Sequence, residues 1–142
     1  MSDMGFTPNL VASAEIRPFR FVKMSATSWT GTQCSAITDQ CIGVSDGSIY
    51  QFTMGGTTVA HAVAGGPINL QPSNTVQIEA GAAITAGDYL MADATAGVGN
   101  TGRALLAAGA TAVSNYIALE NATAAGDIIR AFRFGQRGPI FA

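Results

Sequence analysis

The sequence predicts an all-β fold: a compact β-barrel or β-sandwich of short strands with little helix, plus an extended N-terminal arm. Three observations predict it. Short apolar or alternating runs recur along the chain, separated by turns rich in Gly, Pro and Asn. No stretch of about twelve residues keeps the 3.6-residue period of an amphipathic helix. One phrase, Ala-Gly-Asp, occurs at 86–88 and again at 125–127, followed by Tyr89-Leu90 and by Ile128-Ile129. Glycine supplies the positive φ of a tight turn, and aspartate accepts bonds from nearby backbone N–H groups. Gly87, Asp88, Gly126 and Asp127 are therefore read as structural turn residues. The flanks of the two copies match poorly, so the phrase reads as one turn chemistry used twice and not as a solenoid repeat.

Residues 1–15 read as the arm. Met4, Phe6, Leu10 and Val11 follow neither a helical nor a strand period, and Gly5 and Pro8 interrupt them. Such a stretch cannot bury itself locally. Arg17–Met24 reads as the first strand, with Pro18 at its start and Phe19 and Phe21 on one side. Ser25–Gln33 reads as a loop carrying Trp29, the single tryptophan. Cys41–Val44 reads as a strand. Asp46-Gly47 then gives a hairpin signal leading into Ile49–Met54. Thr57–Val63 alternates in part and ends at Gly65-Gly66-Pro67.

The second half is clearer. Thr75–Glu79 alternates as a strand with one buried face, and Asp88–Ala92 follows the first Ala-Gly-Asp turn. Residues 96–102 form a glycine-rich loop. Arg103–Ala108 fits either a strand or one helical turn. Tyr116–Glu120 is a strand. In Ile128–Phe134, Arg130, Phe132 and Phe134 share one side, and Ile129, Ala131 and Arg133 the other. The domain is placed at residues 16–134, between the arm at 1–15 and an apolar tail at 135–142.

Composition narrows the function. Charged residues are 11% of the 142, against about 25% in an ordinary soluble domain. A solitary soluble domain carries more charge, so much of this surface is expected to meet a partner. Net charge is −2, and the arginines are dispersed with no aromatic interleaving, so no nucleic-acid partner is expected. The neutral stretch 47–78 is broken by Gly-Gly, Pro and Asn, so no membrane span is expected. Residues 1–5 lack a basic region and an apolar run, so no secretory signal is expected. Cys34 and Cys41, seven positions apart, are expected to be buried free thiols, a disulfide being possible but not implied.

Catalytic chemistry is not expected. His61 is the single histidine, and no serine sits in a nucleophile-elbow motif. One histidine with two cysteines fits no zinc pattern, and no calcium-loop spacing occurs. Neither a metal nor another cofactor is expected. The match Gly97-x-Gly99-x-x-Gly102 lacks a following helix and a correctly spaced acidic residue.

Val76–Leu90, the glycine-rich loop, Tyr116–Ala122 and Ala125–Ile129 together resemble the capsid cement, or head decoration, proteins of tailed bacteriophages. Arg20–Lys23 and Ile42–Val44 fit the same pattern, so the resemblance spans about residues 16–134. The apolar arm, the tail and the neutral insert around 55–74 depart from it. The resemblance implies a structural virion component with no enzymatic activity, made in the host cytoplasm and bound to the outer capsid surface. It implies two partners: the major capsid protein, whose subunits it bridges, and copies of itself in a homotrimer. Phe6, Pro8, Leu10, Val11, Arg17, Arg20, Ile140 and Phe141 are the candidate capsid or subunit contacts. A β-rich module binding a glycan or host surface, through Trp29 or Tyr50, is the alternative.

Overall fold

A computed structural model describes residues 10–52 and 59–137. The described residues contain strands and turns and no helix. In chain order the strands are β1 (Leu10–Ala12), β2 (Phe21–Met24), β3 (Thr30–Gln33), β4 (Gly43–Val44), β5 (Gln51–Phe52), β6 (Val59–Ala60), β7 (Pro67–Ile68), β8 (Thr75–Glu79), β9 (Tyr89–Ala92), β10 (Ala104–Leu106), β11 (Ser114–Ala118) and β12 (Ile128–Arg137). One sheet runs β4-β2-β3-β1-β7 and a second β10-β9-β11-β12-β8, while β5 and β6 pair separately. The all-β expectation holds.

Burial explains why the two sheets differ in sequence. The second sheet has one covered face, except at the start of β11, where Ser114, Asn115 and Tyr116 are all buried. In β8, Val76 and Ile78 point in and Thr75 and Gln77 out; in β9, Leu90 and Ala92 point in. This is the clean alternation of an antiparallel sheet with one free side. The first sheet is covered on both sides. Phe21 joins the core shared with Val76, Ile78, Leu90, Tyr116 and Ile129. Its neighbour Val22 joins a second core of Leu10, Ala12, Ile16, Ala62, Ile68 and Leu70. Consecutive buried residues erase the period of two there.

Several boundaries move for that reason. The arm does not reach residue 15: β1 pairs with β3 in parallel and β7 antiparallel, and Ile16 is fully buried. Three residues are too few to display a period. The first strand is shorter than 17–24, because Phe19 takes φ +58° and breaks the extended chain before β2. The expected loop 25–33 ends in β3. Asp46-Gly47 makes no hairpin: β4 pairs with β2, and β5 with β6. Asp46 instead accepts the Ser48 N–H in a local turn. Gly47 is needed for space, since a Cβ there would lie 2.7 Å from the Phe19 ring. The segment 103–108 is strand, and β12 runs to Arg137, three residues into the stretch assigned to the tail.

The two Ala-Gly-Asp turns are related more closely than their flanks suggest. Ala80 donates its N–H to Asp127 O and accepts from Gly126. Ala118 donates to Asp88 O and accepts from Gly87 in the same way. Midway, Ile84 and Ala122 exchange both backbone bonds. Each turn thus clasps the strand that precedes the other turn, about a pseudo-two-fold through Ile84 and Ala122. The matching lies in backbone bonds, which place little demand on side-chain identity.

Candidate functional site

Gly87 and Gly126 have φ of +95° and +98°. The Asp88 carboxylate accepts the Thr85 N–H at 2.9 Å. Asp127 accepts the Thr123 N–H at 2.8 Å, the Thr123 hydroxyl at 2.9 Å and the Ala124 N–H. Those bonds, led by the Thr123 N–H, hold the Asp127 carboxyl below its usual range.

The arginines named as contacts are engaged within the chain. Arg20 is 3% exposed. Its guanidinium donates to Glu79 at 2.8 Å, to Gly99 O at 3.0 Å and to Pro18 O at 3.2 Å. Burial lowers its pKa, against the pull of Glu79. It is an internal ion-pair residue and not a surface contact. Beside it, Arg103 pairs with buried Asp93 at 3.0 Å. Gln33 donates to Val98 O, Thr101 O and the Thr101 hydroxyl. Arg20 and Gln33 thereby anchor the glycine-rich loop as a packing element. Arg17 is partly exposed and pairs with Glu15 at 2.6 Å.

Of the candidate capsid or subunit contacts in the arm, Leu10 is packed in the core, whereas Val11 is 41% exposed. Phe6, Pro8, Ile140 and Phe141 lie outside the described residues.

Sequence reasoning missed one cluster that invites a catalytic reading. Asp46, Ser48 and His61 come together: His61 Nδ1 lies 2.9 Å from Ser48 O, 3.2 Å from Ser48 Oγ and 3.3 Å from Asp46 Oδ1. Serine and aspartate both face the same ring nitrogen. His61 Nε2 accepts the Asn69 N–H at 3.0 Å. That assignment puts the ring proton on Nδ1, where it donates to Ser48 O. An imidazole so held has no free nitrogen to take a proton from Ser48. The cluster braces the 46–48 turn. Among the described residues, no three His, Cys, Asp or Glu side chains are grouped to hold a metal ion.

The surfaces are more informative. On the outer face of the second sheet, Tyr89, Ile117, Phe132 and Thr75 stand in register across β9, β11, β12 and β8. Met91 faces Leu105 in the adjoining row. Phe134 packs edge-on against Tyr89, with ring centroids 5.2 Å apart. The alternation of 128–134 placed Phe132 and Phe134 on one side with Arg130, and the structure shows that this side faces out. At one end of this apolar band, Arg130 pairs with Glu120 at 2.9 Å, which lowers the Glu120 pKa and raises that of Arg130. A solvated outer sheet face is ordinarily polar; this one carries an apolar band beside Thr75, Gln77 and Arg130.

A second apolar feature lies on the first sheet. Leu10, Met24, Ser28, Trp29 and Ile42 line a groove of about 490 Å³. Trp29 is 65% exposed and holds φ +59°, a left-handed conformation that is rare for a bulky residue. Its carbonyl accepts the Val11 N–H at 3.0 Å, which pins the strained residue to β1.

These features define a small two-sheet β protein whose notable sites are apolar surfaces. Among solved structures, the fold is similar to the N base of the head fiber protein gp8.5 of bacteriophage phi29. The likeness covers 92% of this chain and 95% of that one, with a TM-score of 0.56 and 16% sequence identity. At that identity the likeness shows a shared fold. No protein-family profile and no curated protein matches the sequence.

Proposed function

We propose that this chain is a structural component of a tailed-phage particle. It acts as a cement or decoration protein that binds the outside of the head and bridges major capsid subunits. The observation that carries this reading is the fold shared along nearly the whole of both chains with the N base of a phage head fiber. The exposed apolar band on the second sheet supports it. In a homotrimer that band packs against a second copy, since it is poor in charge and its Arg130–Glu120 rim offers both signs. Interfaces of roughly 800 Å² per partner are standard. Many such contacts, repeated by symmetry on a shell, add through effective concentration. Catalysis, nucleic acid and membrane have no part in this reading.

The test is cosedimentation with stripped heads of the phage that encodes the chain. Saturable binding with raised heat resistance of the heads is expected. Protein left in the supernatant would overturn the proposal. Deleting residues 1–9, which spares β1, tests the arm: unchanged occupancy removes it from the contact.

Trp29 favours a second reading, a displayed module that binds a glycan or host surface. A strained, exposed tryptophan beside an apolar groove suits a stacking platform. A glycan array probed with the wild-type chain and with Trp29→Asn decides it; signal lost only in the variant supports it, and no signal removes it.

A further inference from the structure

Cys34 and Cys41 are both free thiols, and their sulfurs lie 3.4 Å apart. A disulfide needs a separation of about 2.0 Å, so closure asks for a shift of roughly 1.4 Å at the side chains. The two are not equivalent. Cys34 has no exposure and sits at the end of β3, its N–H on Phe21 O. Cys41 is also buried, at 5% exposed, but it is among the residues bordering an open pocket of about 400 Å³, with Lys23, Met24, Asp39, Gln40 and Arg133. The loop between them is built to keep them adjacent: the Asp39 carboxylate accepts the N–H groups of Ser35 and Ala36 and pairs with Lys23 at 2.9 Å. The Cys41 N–H is fixed by Asn115 Oδ1 at 3.0 Å, and Asn115 also donates to Gly135 O.

We propose that Cys34 and Cys41 form a redox-convertible pair, closed to a disulfide by a small-molecule disulfide that enters at Cys41. The Cys41 thiolate attacks one sulfur of the small disulfide. A mixed S–S bond forms, the original S–S bond breaks, and the leaving thiolate takes up the proton released by Cys41. Cys34 then gives up its proton and attacks Cys41 Sγ. The Cys34–Cys41 bond forms, the mixed bond breaks, and a second small thiol leaves with that proton. Two protein thiols are oxidised and one disulfide is reduced to two thiols. The order follows from access: Cys34 has no exposure, whereas Cys41 borders the pocket, so Cys34 is the resolving partner. Its hydrogen bond to Cys41, followed by burial, raises the pKa of the Cys34 thiol. The closed bond would tie the end of the first sheet to a loop that Asn115 and Arg133 attach to the second.

The test treats the reduced, folded chain with hydroxyethyl disulfide and follows its mass. The wild type is expected to lose the mass of two hydrogens and to resist alkylation after unfolding. Cys34→Ser is expected to retain one mercaptoethanol adduct on Cys41, and Cys41→Ser none. A folded wild type that keeps both thiols, while the unfolded chain oxidises under the same conditions, overturns the proposal. So does an adduct that forms first on Cys34. Should either variant fail to fold, a wild-type time course decides the same point, with the transient adduct mapped to the Cys34 or the Cys41 peptide.

Discussion

The Arg20 guanidinium, almost wholly buried, lies 2.8 Å from the Glu79 carboxylate 59 residues further on. The pair joins the turn before β2 to the end of β8, and so fastens one sheet to the other. Removing one member leaves an uncompensated charge inside. Glu79→Ala is expected to destabilise the fold by about 3 kcal/mol. Urea denaturation of the two proteins measures it, and a loss below about 1 kcal/mol would mean that the pair is dispensable.

The Asp127 carboxyl is held below its usual range by the N–H of Thr123, the Thr123 hydroxyl and the N–H of Ala124. Its folded pKa is depressed, so its contribution is fully present above the ordinary aspartate value. That contribution is lost as pH falls through the folded value. Wild type should therefore melt higher than Asp127→Asn at neutral pH, with the gap closing in acid. A constant gap from neutral pH down to pH ~2 would assign the effect to something other than ionisation.

Two glycines separate backbone strain from crowding. Gly87 has φ +95° and open space where a Cβ would stand. Gly87→Ala is expected to lose about 1 kcal/mol for the left-handed backbone alone. Gly102 has φ +80°, and a Cβ there would meet Phe21 O at 3.0 Å, with Arg20 and Gln33 close behind. Gly102→Ala should lose clearly more, about 2–3 kcal/mol, because backbone atoms must also move. Equal losses in matched melts would contradict the packing role of the glycine-rich loop.

Ile117 and Phe132 stand opposite one another on the outer face of the second sheet. Ile117→Lys and Phe132→Lys are expected to leave the melting temperature of the isolated chain nearly unchanged at low concentration. Both should lower the solution mass measured by light scattering. A wild-type chain that is monomeric at high concentration would take self-association off this face.

The second half of the chain was legible for a physical reason. Apart from β11, its strands bury one side, so Val76, Ile78, Leu90, Ile129 and Ala131 alternate with polar or exposed neighbours. The first half was not. Phe21 and Val22 enter different cores, and β1 is held by β3 and β7, whose contributions come from residues 30–31 and 67–68. Arg20 looked like a surface charge because its partner is distant in sequence. The Asp46–Ser48–His61 group and the closeness of Cys34 to Cys41 likewise depend on loop geometry. The apolar outer band was half visible: Phe132 and Phe134 were placed on one side, but their neighbours Ile117, Tyr89 and Met91 came from other strands.

The mutual grip of the two Ala-Gly-Asp turns bears on time as well as shape. Each turn has local bonds of its own, but its clasp needs a strand from the other copy. One clasp joins Asp88 to Ala118, 30 positions on, and the other joins Ala80 to Asp127, 47 positions on, and each span must be gathered before its clasp forms. The loss of chain freedom comes first and the bonds come afterwards, which makes such a topology slow to assemble. The two turns thus tie the folding time of this half of the molecule to contacts between segments distant in the chain.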